Sequence, residues 1–210
     1  MKKRTVALLM AVVMLFGAAV GGTIAWLTAD SNEVNNTFTV GDINITLDET
    51  DIENPTGPRN TENEYKMVPG KKYMKDPIVH VEAGSEPCYV FVRLTEKNNA
   101  YGNDKVIQYT INSDWTLVTT EANGDKIYVY GTLAAPTVVN ALNLTAPATA
   151  DTTSVFAITE GTTITVNPAV TKAELTAMED GTKPTLDFIA YAIQADNLTV
   201  TAAADIWNLF

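Results

Sequence analysis

Two stretches of this sequence leave little freedom in the choice of fold: Cys88 to Glu96, CYVFVRLTE, and Leu186 to Ala195, LDFIAYAIQA. Both are rich in β-branched and aromatic residues, and both carry apolar side chains on even and odd positions alike. An extended chain alternates its side chains between two faces, so apolar residues on both parities call for cover on both sides. The pattern therefore predicts two central strands, the first opened by Pro87, which a strand tolerates at its start.

Shorter runs surround them. Ile43, Ile45 and Leu47 share one face, and the parity slip from Phe38 and Val40 across Gly41-Asp42 reads as a β-bulge. Ile78 to Glu82 is a strand that turns Val79 and Val81 inward, and Lys105 to Ile111 alternates in the same way after the turn cluster Asn98 to Asp104. Trp115 to Thr119 and Lys126 to Leu133 flank Asn123-Gly124-Asp125, a hairpin signal. Thr153 to Thr159 and Thr162 to Val166 are two more strands, joined at Glu160-Gly161. Thr171-Lys172-Ala173-Glu174 has capping-box spacing ahead of a short helix with Ala173, Leu175 and Met178 as its apolar stripe. Thr201 to Phe210 reads as a terminal helix that packs back through Ile206, Trp207 and Phe210. Many short strands with frequent turn signals and one or two short helices predict an all-β antiparallel sandwich.

The chemistry-bearing residues point away from an enzyme. The one histidine, His80, is flanked by Val79 and Val81 and is expected to face outward, and the one cysteine, Cys88, begins an apolar run and is expected to be buried. No Gly-x-Ser-x-Gly elbow, His-Glu-x-x-His motif or Gly-rich phosphate loop occurs. Asp48 to Glu64, DETDIENPTGPRNTENE, should be an exposed loop, and its carboxylates Asp48, Glu49, Asp51 and Glu53 are the candidate calcium ligands. Their spacing matches no EF-hand, so the alternative is a merely solvated acidic loop.

The N-terminus reads as an address. Lys2, Lys3 and Arg4 precede an uncharged apolar run, Val6 to Val20, and Thr23 and Ala25 place small residues where a signal peptidase inspects the chain. The expected products are a signal peptide, 1–25, with a hydrophobic signal helix, and a single secreted domain, 26–210, starting at Trp26. Cleavage removes three basic residues and no acid, leaving 11 Lys and Arg against 25 Asp and Glu, a net charge of −14. A domain so acidic repels nucleic acid and anionic lipid, so membrane contact is expected only through the signal.

Gly21, Gly22, Thr23 and Ala25, followed by Asn36, Thr37, Phe38, Thr39, Gly41, Ile43 and Ile45, resemble the start of the TasA/camelysin family. Looser similarity continues through Val68-Pro69-Gly70, Cys88 to Arg93, Ala190 to Ala195 and Ile206-Trp207. The resemblance implies a jelly-roll form of sandwich, export by a signal peptidase of the SipW type in a Gram-positive bacterium, and a structural role on the cell surface or in the biofilm matrix. It also implies fibre assembly with other copies or matrix subunits, in which the mature N-terminus donates a strand. Here that segment is Trp26 to Phe38, with Trp26, Leu27, Val34 and Phe38 as its apolar residues. The competing expectation is a monomeric extracellular module that binds a ligand or glycan through the acidic loop and Lys71, Lys72 and Lys75.

Overall fold

Cys88 to Lys97 forms the strand on which the others are built. The structure, a computed structural model, describes residues 41–142, 154–178 and 181–210. They form β1 (Ile45–Asp48), β2 (Lys72–Met74), β3 (Ile78–Val81), β4 (Cys88–Lys97), β5 (Ala100–Tyr101), β6 (Asp104–Lys105), β7 (Ile107–Gln108), β8 (Trp115–Thr120), β9 (Lys126–Tyr130), β10 (Val138–Val139), β11 (Ser154–Ala157), β12 (Thr163–Val166) and β13 (Thr185–Gln194). Two short helices, Lys172–Ala177 and Ala203–Trp207, complete the set. The expected signal segment with Thr23 and Ala25, the donor residues Trp26, Leu27, Val34 and Phe38, and the bulge partners Phe38 and Val40 lie outside the described residues, as does 143–153.

In the first sheet β13 runs antiparallel to β4 over ten residues, from Thr185 opposite Lys97 to Gln194 opposite Cys88. The other side of β4 takes β9 at Phe91 to Leu94 and β10 at Cys88 and Tyr89, and β8 flanks β9. β9 and β10 are one strand with a loop pinched out between them, closed by the bridge from Gly131 to Pro136. Gly131 has a φ of 101°, and a Cβ there would meet the Thr137 nitrogen at 2.5 Å, so only glycine closes the pinch.

The second sheet repeats this economy. β2 and β3 are two pieces of one kinked strand, and β12 and β11 are the two pieces of its partner. Ile158 N–H to the Pro77 carbonyl at 3.0 Å and Lys75 N–H to the Thr162 carbonyl at 2.9 Å carry the ladder across the kink. β1 pairs with the free side of β3, while β7 and the bridge at Ile111 pair with the far side of β12 and Thr159. Early strands thus nest against late ones, β2/β3 on β11/β12 and β4 on β13, in an all-β antiparallel sandwich.

The layers explain the apolar patterns. Val79 and Val81 from one sheet and Cys88, Val90 and Val92 from the other are fully buried between them, with Trp115 and Ile158. Phe91, on the opposite face of β4, is buried with Ile127 and Val129 under Ala203 and Ile206 of the C-terminal helix. A third cluster, Val106, Ile107, Ile164, Val166 and Val170, is covered in part by Leu175 and Met178 beside the capped helix. That cap forms as its spacing predicts: Glu174 N–H donates to Thr171 Oγ1 at 3.2 Å and Thr171 N–H to Glu174 Oε2 at 2.7 Å.

Three expectations are corrected. Among the described residues β13 is not central: it pairs with β4 alone, and Ile189 is 50% exposed. Apolar residues on both parities report cover on two faces, here the sandwich core and the C-terminal helix, and say nothing about neighbours on two edges. Within the Lys105 to Ile111 stretch only Lys105, the end of β6, and Ile107–Gln108 are regular, and the turn before it contains a two-residue ladder, β5 with β6. Lys75, grouped with Lys71 and Lys72 as surface charge, is 8% exposed.

Candidate functional site

β1 and β13 lie beside each other at the margin of the sandwich, one from each sheet, and each is paired on one side only among the described residues. Antiparallel partners exchange hydrogen bonds at every second residue, so the other residues point their N–H and C=O away. Ala195 N–H donates to the Pro87 carbonyl at 2.8 Å, which sets the phase of β13. Its odd residues bond to β4, whereas Leu186, Phe188, Ala190, Ala192 and Gln194 present their backbone groups outward. Glu82 N–H to the Asn44 carbonyl at 2.9 Å sets β1 likewise, leaving Ile45, Leu47 and Glu49 facing out. Two open edges therefore border one seam. Open edges are templates for an added strand. The side chains along it, Ile45 and Leu47 opposite Phe188, Ala190 and Ala192, are partly buried against the core.

One end of the seam is closed. Glu49 N–H donates to the Asn60 carbonyl at 2.8 Å and Asn60 N–H to the Glu49 carbonyl at 2.9 Å, so the acidic loop folds back onto the outer side of β1. Arg59 clamps it with all five of its N–H donors. They reach the Asp48 carboxylate, Thr50 Oγ1 at 3.1 Å, Asp76 Oδ2 at 3.0 Å, the Asp48 carbonyl at 3.2 Å and the Asp76 carbonyl at 2.8 Å. Thr50 adds its own N–H and hydroxyl to Asp76, each at 2.8 Å. Burial alone would raise the Asp76 carboxyl, but hydrogen bonds from Thr50 and Arg59 hold it below its ordinary value. Inward of the clamp, Glu49 meets Lys75 Nζ at 2.8 Å, with side chains 7% and 10% exposed, and Lys75 lies 5.8 Å from the ring centres of Tyr65 and Phe188.

The four calcium candidates are thus near in sequence and separate in space. Asp48 serves Arg59 and lies 3.2 Å from His80 Nε2 on the outer face, and Glu49 serves Lys75. Asp51 accepts from the Glu53 and Asn54 amides at 2.8 and 3.2 Å, while Glu53 is exposed. Among the described residues no three His, Cys, Asp or Glu side chains are grouped to hold a metal ion. Arg59 and Asn60 escaped the sequence reading. The available signal was that Arg59 is the lone basic residue in a run of acids. Cys88 is buried as expected, and burial pushes its thiol up to about 11.

A second feature is an open groove of about 780 Å³ bordered by Glu96, Asn98, Asp104, Lys105 and Tyr109. Glu96 accepts from Lys105 Nζ at 2.8 Å, from Asn99 Nδ2 at 3.1 Å and from Lys126. Burial would raise its carboxyl, yet hydrogen bonds from Lys105, Lys126, Tyr109 and Asn99 hold it at about 2. A depressed carboxyl contributes stability above its unfolded value, near 4.3, and loses it as pH falls through the folded one. Glu96→Gln is therefore expected to lower stability at pH 7 by about 2 kcal/mol. The deficit should shrink below pH 4 and vanish near pH 2, as read by urea unfolding across that range.

No protein-family model matches the chain, and neither a curated protein nor a solved structure matches it.

Proposed function

We propose that the chain is a secreted structural protein of the bacterial cell surface or biofilm matrix, whose subunits assemble by N-terminal strand donation. The observation that carries this reading is the outer edge of β13, five residues with outward backbone groups and no partner among the described residues. An extended segment adds to such an edge through main-chain hydrogen bonds. The segment Trp26 to Phe38 is the donor under this reading, freed by a SipW-type signal peptidase after Ala25. A mature charge of −14 repels like subunits, so growth should respond to salt and to divalent cations.

Negative-stain microscopy of Trp26–Phe210 beside Asn36–Phe210, with and without millimolar calcium, tests it. Filaments are expected from the longer protein and none from the shorter. The groove beside Glu96 favours a second reading, a monomeric module that binds a ligand or glycan. Discrete particles in every condition would select it over assembly.

A further inference from the structure

We infer that the Asp48 to Glu64 loop is a stop on the seam, clamped by Arg59, which limits how far a strand from a second copy can pair along β1. This rests on the assembly reading. β1 turns Ile45, Leu47 and Glu49 toward the seam, and an incoming strand needs each of those backbone groups in turn. At Ile45 and Leu47 they have no partner among the described residues, whereas at Glu49 both are taken by Asn60. Asn60 therefore occupies the place of the next residue of an added strand. The loop has no regular ladder of its own beyond this one bridge. The guanidinium next to Asn60 ties the loop to Asp48, Thr50 and Asp76, and farther along Asn63 donates to the Thr50 carbonyl at 2.9 Å and accepts from the Ile52 amide at 3.0 Å. The clamp is local to the loop. Without it Asp76 keeps its two bonds from Thr50, Asp48 keeps His80, and the β1 ladder to β3 is untouched.

The stop therefore sets register. A donor that pairs with β1 must end where Asn60 begins, and releasing the loop lengthens the edge past Glu49.

Arg59→Gln tests this in the whole chain as it is secreted, purified from culture supernatant, with Asn60→Pro as a second variant. Proline removes the amide that Asn60 gives to the Glu49 carbonyl, keeps the guanidinium of Arg59, and opens the bridge from its other side. Hydrogen exchange resolved to single amides and sedimentation across a concentration series are the two readouts, with far-UV circular dichroism to verify the fold. In both variants the Glu49 amide should exchange about tenfold faster, with Thr46 and Asp48 unchanged. Self-association should begin at about one tenth of the wild-type concentration. If Glu49 loosens and wild type and variants associate at the same concentration, the stop is wrong and strand donation stands. Protection that survives in both variants also overturns it. If no protein associates at any concentration, the stop falls together with the assembly reading.

Discussion

If subunits add by strand donation as proposed, replacing Ala190 by proline is expected to end filament growth and leave the domain standing. The Ala190 N–H points away from β4, because the bond from Ala195 to Pro87 places the exchanging pairs at Ile189 and Tyr191. Proline there removes one outward donor and puts a ring where a neighbouring strand would approach, while the ladder to β4 keeps its bonds. Edge strands tolerate proline when the lost N–H faces outward. The fixed φ costs about 1 kcal/mol. Tyr191→Pro, one residue along, is the contrast: it removes a bond to Phe91 and should cost about 3 kcal/mol or more. Electron microscopy for filaments and thermal unfolding for the fold separate the two effects. If Ala190→Pro grows filaments at the wild-type rate, the β13 edge is not the surface on which subunits add.

The second large effect concerns the buried pair at the closed end of the seam. Lys75→Met should lower stability by about 3–5 kcal/mol, since it leaves the Glu49 carboxylate without its cation at 7% exposure. Desolvation of an ion is expensive, and what offsets it here is one bond of 2.8 Å and the faces of Tyr65 and Phe188 near Lys75. The double variant Glu49→Gln/Lys75→Met should recover most of that loss, because no charge is then stranded. Urea midpoints of the two singles and the double close the cycle. A loss below 1 kcal/mol for Lys75→Met would mean that the pair behaves like a solvated surface contact.

Both predictions turn on residues whose role was invisible in one dimension, whereas much of the scaffold was legible. Val79 and Val81 inward, Cys88 buried at the head of the strongest strand, the hairpin around Asn123-Gly124 and the Thr171 cap all stand where local pattern put them, whereas His80, off the core face, is 13% exposed beside Asp48. Each depends on a neighbour two to four residues away, or on a period of two. The hairpin carries a register shift between Leu117 and Thr119 that no turn signal announced. Tyr128 and Tyr130 pack against the inter-sheet core, on the face of β9 opposite Ile127 and Val129, and only the packing of the second sheet over that face shows that it is covered.

The sequence by itself determined that this chain is built from short antiparallel strands, which faces of those strands are apolar, and that one histidine and one cysteine are all it has for such chemistry. Those properties belong to side chains, and side chains are what a sequence spells out. Only the tertiary structure decided that β13 is an edge among the described residues, that its side away from β4 meets β1, that Lys75 is buried and that Arg59 holds the acidic loop over Glu49. A strand's free edge is made of backbone groups, which are alike at every residue, and the partner of a charge is chosen by a topology that brings Asp76 to Arg59 and Lys75 to Glu49 across the fold.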